Sequence, residues 1–460
     1  ITVALLFLVS EGIRQSGTLG QVIKKLLPQG KTTVFKAQLR ILPSVAFISA
    51  FLNNTPVVVI FAPIIKHWAK SVNLPATKFL IPLSYVTILG GICTLIGTST
   101  NLVVHGMILE AGFEGFSMFE LGKVGIFIAI AGIIYIFLFS KRLLPDARPD
   151  TAVPDEEVEE GEKLHRVEAV LGARFPGINK KLKDFNFQRH YGAEVKEIKT
   201  RNGQRFVSNL EEVVLHEGDT LVVMADDTFI PTWGESSVFV LLTNGNEPDT
   251  TGKKKRWFAL LLLVLMIVGA TVGELPVTKE MFPDIKLDMF FFVSITTIIM
   301  AWTNLFPARK YTKYISWDIL ITIACAFAIS KAMVNSGVAD SVAKFIIGLS
   351  DDYGPHVLLA MVFIITNLFT ELITNNAAAA LAFPLALSIS AQLGVSPTPF
   401  FVVICMAASA SFSTPIGYQT NLIVQGIGNY KFTDFVRIGL PLNIITFLIS
   451  IILIPLIWNF

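Results

Sequence analysis

The chain alternates long apolar stretches with short polar interruptions, and the two kinds of segment predict different elements. A helix needs about 20 apolar residues to cross a bilayer. Five runs come close enough to this length to predict transmembrane helices. They are Leu121–Phe139, Trp257–Val272, Leu287–Leu305, Trp317–Met333 and Phe435–Ile457.

Four other apolar stretches are broken near their middles by polar residues, glycine or proline. A break at membrane depth leaves backbone N–H and C=O groups without partners, unless protein or a water-filled cavity surrounds them. The breaks therefore predict a polar site inside a helix bundle. They fall at NNTP (Asn53–Pro56), GTSTN (Gly97–Asn101), TNN (Thr374–Asn376) and STPIGYQTN (Ser413–Asn421).

The breaks recur in pairs because the chain contains an internal repeat. When the chain is aligned with itself, GTSTNLVVHG from Gly97 matches GYQTNLIVQG from Gly417. The Asn53-Asn54 pair matches Asn375-Asn376 after a slip of two positions in the same alignment. We predict two equivalent membrane repeats. If they are equivalent, the first has lost roughly two spans upstream of Ile1, so we expect the chain to be truncated.

Basic residues flank the spans, and Lys and Arg resist translocation across the membrane. If each asparagine-containing segment is a re-entrant hairpin, every basic cluster becomes cytoplasmic and the C-terminus becomes external. The first hairpin then opens from the cytoplasm and the second from outside. This inverted-topology repeat is typical of secondary transporters. The basic residues used are Lys66, Lys70, Lys78, Lys141, Arg142, Lys253–Arg256, Arg309, Lys310, Lys313, Lys431 and Arg437.

A charged segment separates the two repeats, since 37 of the 72 Asp, Glu, Lys and Arg residues lie between Pro145 and Arg256. Alternating runs at Val167–Leu171, Ala193–Lys199 and Asp219–Ala225 predict strands, and GINKKLKDFNF from Gly177 predicts a helix. We predict a first membrane repeat over residues 1–144, an acidic linker over 145–162, a small α+β cytoplasmic domain over 163–234, a linker over 235–256 and a second membrane repeat over 257–460.

Composition narrows the class of function. The chain is 53% hydrophobic with a mean hydropathy of +0.62, which argues against a soluble enzyme. A net charge of +2 without a dense basic stripe argues against nucleic-acid binding. The six histidines show no zinc-binding spacing, and the chain has no Walker-type loop. We therefore expect a membrane protein that is neither an enzyme nor driven by ATP.

The interruptions carry neutral amides and hydroxyls, which coordinate Na⁺ through oxygen or donate hydrogen bonds to an anion. Helix N-termini near Pro56 and Ala377 would add backbone N–H groups aimed at an anion. A cation and an anion could bind together here without a fixed Lys or Arg, which predicts symport. Glu371 is interpreted either as a cation-site or coupling residue or as a vestibule-lining group. The candidate substrate-binding residues are Asn53, Asn54, Thr55, Asn375, Asn376, Thr414 and Pro415.

These motifs resemble the divalent anion/sodium symporter family, the sodium-coupled dicarboxylate and sulfate carriers. The specific marks are SAFLNNTP, LIGTSTN, TELITNNAAAA and STPIGYQTN. Family hairpin tips read Ser-Asn-Thr, with an asparagine that contacts sodium and substrate, and the pattern carries this residue over to Asn54 and Asn376. The resemblance implies sodium sites at Ser49, Asn54 and the Gly97 region, and at Thr374, Asn376 and Ser413, the last in the Ser411–Ser413 loop. It also implies a homodimer with an elevator-like transport domain.

The charged segment resembles an RCK C-terminal (TrkA-C-like) module. We predict a Na⁺-coupled symporter of a small divalent anion in the plasma (inner) membrane. Sulfate is favoured over dicarboxylate because both tips depart from the family pattern. The module is interpreted as a ligand-sensing domain with a small-molecule effector, or as a dimer contact. Two alternatives stay open: an ion channel regulated by the module, and a Na⁺/H⁺ antiporter in which Glu371 titrates.

Overall fold

The computed structural model describes residues 2–146, 164–172, 174–201, 204–226, 228–234, 238–243, 253–273, 275–281, 286–315, 317–349 and 354–460. Most of the predicted acidic linker lies outside these residues. The first repeat consists of seven helices: α1 (Thr2–Gln15), α2 (Thr18–Leu26), α3 (Val34–Ser49), α4 (Asn54–Ser71), α5 (Leu80–Gly91), α6 (Ser99–Glu110) and α7 (Gly122–Leu143).

The charged segment folds into a small antiparallel sheet, which we call the β module. Its sheet order is β3-β2-β4-β1-β5. Its elements are β1 (His165–Leu171), α8 (Phe187–Tyr191), β2 (Glu194–Lys199), β3 (Arg205–Phe206), β4 (Thr220–Ala225), α9 (Phe229–Trp233) and β5 (Phe239–Thr243).

The remaining helices form the second membrane part. They are α10 (Lys253–Gly273), α11 (Pro276–Met281), α12 (Met289–Trp302), α13 (Tyr311–Tyr314), α14 (Trp317–Asn335), α15 (Val338–Leu349), α16 (Gly354–Leu372), α17 (Asn375–Leu393), α18 (Thr398–Ser409), α19 (Gln419–Gly428) and α20 (Phe432–Ile457).

Five helices in the described part of the chain are long and apolar enough to cross a membrane: α7, α10, α16, α17 and α20. A bent pair over residues 308–314 and 319–335 would add a sixth span. Three of the five predicted spans coincide with α7, α10 and α20. The run at Trp317 lies in the bent pair, and the run at Leu287 forms α12, which at 14 residues is shorter than a full span.

The outer faces of α7 and α20 fit a lipid environment. On α20, large apolar residues at four-residue spacing are each at least half exposed, from Leu440 to Leu456. On α7, a similar stripe runs from Ile126 to Leu138. The central helix α5 is instead buried along its whole length. Such exposed stripes on long apolar helices are those of a multi-pass membrane protein.

The internal repeat is confirmed by the order and packing of the helices. Helices α1–α7 follow one another in the same order as α14–α20. The starts of α2, α3 and α6 precede the starts of α15, α16 and α19 by the same number of residues. Helix α4 packs on α19 as α17 packs on α6, and α3 packs on α5 as α16 packs on α18. Helix α7 packs directly on its counterpart α20. This reciprocal pattern relates the two repeats by a pseudo-two-fold axis.

All four predicted interruptions are breaks between helices. The first and third separate α3 from α4 and α16 from α17, forming two helical hairpins. The second and fourth separate α5 from α6 and α18 from α19. The architecture is therefore a polytopic helical bundle with an inverted repeat, two hairpins, two broken helices and a small α+β insert.

The β module departs from its predicted elements in two places. The predicted helix at Gly177 is wrong. This stretch begins with turns, because Asn179 has a left-handed φ of 61° and its N–H donates to Leu215 O, and it continues as a three-residue 3₁₀ helix, Leu182–Asp184. The residues 239–243, predicted as linker, form β5 instead, which pairs antiparallel with β1. The apolar run FVLLT extends the sheet beyond the predicted boundary at residue 234.

The β module docks on helices of both membrane repeats. Lys66 Nζ, on α4, lies 3.0 Å from both carboxylate oxygens of Glu168 on β1. Gln425 Nε2, on α19, donates to Arg201 O over 2.8 Å. Burial opposes ionisation of Glu168, but the ammonium groups of Lys66 and Lys199 outweigh it and lower the pKa of this carboxyl to about 2.

We expect Gly90→Ala to destabilise the protein. The added methyl group would overlap the Ala46 carbonyl oxygen, so α3 and α5 would have to separate at a cost of about 1–3 kcal/mol. Gly348→Ala is the matched control, because a methyl group there meets nothing within 4 Å. Thermal unfolding of the purified protein should show a lower melting temperature for Gly90→Ala only; equal melting temperatures would contradict this packing.

We expect Lys66 and Glu168 to be energetically coupled. In a double-mutant cycle of Lys66→Met and Glu168→Gln, the losses in stability should be less than additive, by about 1–3 kcal/mol. Lys70→Met is the control, since Lys70 is exposed one turn further along α4, and its loss should add independently to that of Glu168→Gln.

The pH dependence of this coupling follows from the carboxyl. The pKa of Glu168 falls from 4.5 to about 2 on folding, so its contribution is complete above pH 4.5 and is lost as the pH falls towards 2. The cycle should therefore give the same coupling at pH 5 and pH 8. A coupling that vanishes at pH 5 would contradict the docked geometry.

Candidate functional site

Two helices begin at the predicted hairpin tips. Helix α4 begins at Asn54 and α17 begins at Asn375. The preceding residues, Asn53 and Thr374, form no side-chain hydrogen bond that caps these described helices. These side chains therefore do not cap the first backbone N–H groups of the two helices, and the positive ends of the helix dipoles favour an anion there.

Hydrogen bonds inside the hairpins determine which residues are equivalent. Ser49 Oγ donates to Asn54 Oδ1 over 2.7 Å, and Thr370 Oγ1 lies in the same relation to Asn375 Oδ1, at 3.3 Å. Both asparagines are also the first residues of their helices. The predicted equivalence of Asn54 and Asn376 is therefore wrong by one residue. Two adjacent asparagines align equally well in either register by sequence alone.

The corrected register makes Asn376 the counterpart of Thr55. Asn376 Oδ1 accepts hydrogen bonds from Ser99 Oγ at 3.3 Å and Thr100 Oγ1 at 3.2 Å, at the start of α6. Thr55 Oγ1 donates to Gln419 Oε1 over 3.3 Å, at the start of α19. Each hairpin tip thus contacts the first residues of the broken helix from the other repeat.

Each broken helix is held by one asparagine. Asn101 Nδ2 donates to Thr94 O over 2.8 Å, and Asn421 Nδ2 donates to Thr414 O over 3.1 Å. Asn421 Nδ2 also reaches Ser411 O, at 2.8 Å. These amides satisfy carbonyl groups that the breaks leave without helical partners. The two asparagines occupy equivalent places in the two repeats, as the alignment of the GTSTN and GYQTN motifs predicts.

Tyr418 links the two repeats at the centre of the site. Its hydroxyl accepts from Asn54 Nδ2 at 2.5 Å and lies 3.0 Å from Thr98 Oγ1. Thr98 and Tyr418 are equivalent residues, so the contact lies close to the pseudo-two-fold axis. Tyr418 was not among the candidates from sequence, although it lies inside the GYQTN motif. Its repeat partner is a threonine, so the alignment gave no signal for a shared role.

The first predicted sodium set is brought together. A methyl group at Gly91 would lie 2.6 Å from Asn54 Oδ1 and 3.1 Å from Gly97 O, so both oxygens face one small space beside Gly91. Ser49 adjoins it through its hydrogen bond to Asn54. We call this space the first cradle. Its neutral oxygens suit a hard cation.

The second predicted set, Thr374, Asn376 and Ser413, is not brought together in the described chain. Thr374 is exposed, Asn376 contacts the first repeat, and Ser413 Oγ accepts from Asn443 on α20. Oxygens converge instead at Gly417, where an added methyl group would overlap Ser411 Oγ and Thr370 O. Thr370 Oγ1 also contacts Asn375. We call this space the second cradle.

The remaining candidates lie in the loop between α18 and α19. Thr414 Oγ1 donates to Glu371 O over 3.0 Å, and Pro415 is buried beside it. Glu371 is therefore next to the second cradle.

A small cavity of about 30 Å³ separates the first tip from other helices, with Asn53 and Ser99 on its polar side and residues of α1 and α10 on its apolar side.

Comparison with known proteins gives one family over the whole chain. The family described as "Citrate transporter" (CitMHS) matches residues 1–390 and 285–459. An "Uncharacterized transporter" of Synechocystis is 29% identical, covering 100% of this chain and 89% of the relative. A second "Uncharacterized transporter", from Escherichia coli, is 24% identical over 100% of this chain and 91% of its own length.

A relative named "Sodium/sulfate cotransporter 2", from Chlamydomonas reinhardtii, is 31% identical over 61% of this chain, although only 31% of that protein is covered. These relatives are transporters, in agreement with the prediction that the chain is not an enzyme. Together with the broken helices and paired hairpins, the family match extends over nearly every described helix. The chain belongs to the citrate transporter family of membrane transport proteins.

Proposed function

We propose that this transporter is a Na⁺-coupled symporter of a small divalent anion, with sulfate as its first substrate and a dicarboxylate as its second. The observation that carries the proposal is the convergence of two hairpin tips and two broken helices on one polar centre. Anion donors and cation ligands lie within the same set of side chains there.

The anion is held by neutral donors. The helices α4, α17, α6 and α19 all begin at this centre, and each offers N-terminal N–H groups. The four motifs around them contain no Lys or Arg. A divalent anion therefore needs positive charge from another source, and cations bound beside it supply that charge. Coupling between anion and cation follows from this electrostatic requirement.

The cations occupy the two cradles. In the first, Ser49, Asn54 and the Gly97 carbonyl group supply oxygen ligands. In the second, Thr370 and Asn375 take the places that the family resemblance gave to Thr374 and Asn376, and Ser411 supplies the oxygen from the Ser411–Ser413 loop. Since Asn54 and Asn375 also begin the helices that face the anion, each asparagine joins a cation site to the anion site.

The names of the relatives favour two substrate classes. Several relatives are called sodium/sulfate cotransporters, whereas the family description names citrate. Sulfate is a compact anion whose oxygens point in all directions, so it suits a centre whose donors come from four helix ends. A dicarboxylate would need two separated donor sets. This geometry favours sulfate over a dicarboxylate, and so does the departure of both hairpin tips from the Ser-Asn-Thr pattern of the family.

Transport follows an elevator-like path in a homodimer in the plasma (inner) membrane. The tips and broken helices move together against α14, which packs on α17 and α6, and against α1 and α10, which face the first tip across the small cavity. The β module is cytoplasmic and the C-terminus external. Because the module touches α4 and α19, which both begin at the site, a small effector that shifted the module would act directly on the moving helices.

The first test is uptake of labelled sulfate into proteoliposomes with and without an inward Na⁺ gradient. We expect gradient-dependent uptake that excess succinate and citrate reduce only weakly, because the donor set suits a compact anion. Strong inhibition by succinate would assign the protein to the dicarboxylate branch, and strong inhibition by citrate alone would indicate a tricarboxylate substrate. Uptake of labelled succinate and of labelled citrate is measured in the same way. If none of the three anions shows Na⁺-dependent uptake, the proposed symport is overturned, and the channel or the antiporter is favoured.

The second test removes the paired asparagines. Asn54→Ala and Asn375→Ala should each reduce Na⁺-dependent uptake by at least about tenfold, because each removes a ligand shared by the cation and anion sites. Ser294→Ala, on the exposed face of α12, is the control and should transport normally. Membrane expression should match in all three variants. Normal uptake in both asparagine variants would contradict the assigned site.

A further inference from the structure

The two repeats differ at one position beside the cradles. In the first repeat, Thr94 Oγ1 donates to the carbonyl oxygen of Ala50. In the second repeat, the equivalent Thr414 Oγ1 donates to the carbonyl oxygen of Glu371 over 3.0 Å. The backbone contact is common to both repeats, so Glu371 occupies the place of Ala50. Only the second repeat has a carboxyl group there.

A second difference between the repeats lies on α20, opposite Glu371. A methyl group added at Gly125 on α7 would lie 2.7 Å from Ile92 O, and one added at Gly439 on α20 would overlap Phe412 O. Ile92 and Phe412 occupy the same position in the two repeats, so these glycines are equivalent. Asn443 lies one turn after Gly439, where the first repeat has Ala129. An Ala50–Ala129 pair is thus replaced by Glu371–Asn443.

Glu371 and Asn443 form hydrogen bonds through one polar atom of each side chain, and the other oxygen of each side chain has no partner among the described residues. Glu371 Oε1 accepts from Ser413 N at 2.9 Å and from Asn443 Nδ2 at 2.7 Å. The same Nδ2 lies 2.9 Å from Ser413 Oγ. Glu371 Oε2 and Asn443 Oδ1 are buried and have no hydrogen-bond partner in the described chain. Asn443 as a whole is only 6% exposed.

Two buried oxygens without hydrogen-bond donors favour a positive partner. An ionised carboxylate loses its hydration on burial, and only a compensating charge or hydrogen bonds recover that loss. The helices α17 and α18, which pack against α16, contain no charged residue. On α20, the charged residues Asp434 and Arg437 lie more than one turn from Asn443. Among the described residues, neither Glu371 nor Asn443 forms a hydrogen bond or an ion pair with a basic side chain.

We propose that Glu371, Asn443 and Ser413 bind an additional Na⁺ ion, at a site separate from the two cradles. Glu371 Oε2, Asn443 Oδ1 and Ser413 Oγ supply its oxygen ligands. A single carboxylate with neutral oxygens matches the charge of a monovalent cation. The first repeat has alanines at the positions of the glutamate and asparagine, so this site exists once per chain, whereas the cradles occur twice.

The role of this ion in transport rests on the proposed function. Two Na⁺ ions in the cradles balance one divalent anion, and the additional Na⁺ balances Glu371. When the unloaded carrier returns, the negative charge of Glu371 returns with it. Each cycle then moves one net positive charge inward. Without the carboxylate and its ion, the cycle would be electroneutral.

The site is tested first without transport, by equilibrium binding of ²²Na⁺ to purified full-length protein with no anion present. Glu371→Gln retains the size of the side chain and should bind one Na⁺ fewer per chain than the wild type. Glu114→Gln is the control, because it removes an exposed acidic group between α6 and α7 by the same substitution and should leave the Na⁺ count unchanged. An unchanged count in Glu371→Gln, as for a carboxyl that holds a proton, would overturn the proposal.

A second variant guards against misfolding. Glu371→Ala combined with Asn443→Ala recreates the residue pair of the first repeat, which packs without polar groups, and it should also bind one Na⁺ fewer. If this double variant bound as many ions as the wild type, the assigned ligands would be wrong. Monodispersity in size-exclusion chromatography identifies folded samples for both variants.

Transport supplies an independent measurement. An inside-negative potential should accelerate Na⁺-dependent sulfate uptake by the wild type and by Glu114→Gln. Glu371→Gln should lose this acceleration, and uptake that stayed equally voltage-dependent would overturn the role in charge movement. The binding measurement uses no anion, so it tests the additional Na⁺ site independently of transport. A wild type that fails to transport sulfate would contradict the proposed function, and the number of bound Na⁺ ions would still decide whether the site exists.

Discussion

The need to satisfy backbone groups at membrane depth shapes the whole transport centre. A broken helix exposes carbonyl and N–H groups that lipid cannot bind. Here the breaks are closed by side chains, with Asn101 and Asn421 donating to carbonyl groups of their own loops. The same amides and hydroxyls make the interior polar without introducing a net charge. The way in which the breaks are stabilised therefore provides the polar interior that the proposed ion sites require.

The pseudo-two-fold arrangement places equivalent groups where they complement one another. Each tip contacts the broken helix of the opposite repeat, through Asn376 in one case and Thr55 in the other. The site is therefore incomplete in either repeat alone. Strict equivalence fails where Tyr418 replaces a threonine and where Glu371 replaces an alanine. Such differences allow one repeat to carry chemistry that the other lacks, while the shared backbone contacts preserve the packing.

Much of this fold follows from the sequence because apolar length and polar interruptions are local signals. The four breaks and the internal repeat were visible in Asn53–Pro56, Gly97–Asn101 and their counterparts. The register at Asn375 was not visible, because it depends on a hydrogen bond from Thr370 in the preceding helix. Likewise, β5 was missed because its short apolar run forms a strand only by pairing with β1, which lies at the opposite end of the β module in sequence.

The same distinction explains why Glu371 was recognised while its environment was not. A carboxylate in an apolar hairpin is conspicuous in sequence, since burial of an unpaired charge is costly. Asn443 lies far later in the chain, in the middle of a long apolar helix, where one amide is unremarkable by itself. Only folding brings the two together and leaves an oxygen of each without a donor. Burial of such a pair is costly unless a proton, a hydrogen-bond donor or a cation completes it, and the Na⁺ ion that we propose here would do so while matching the charge of the carboxylate.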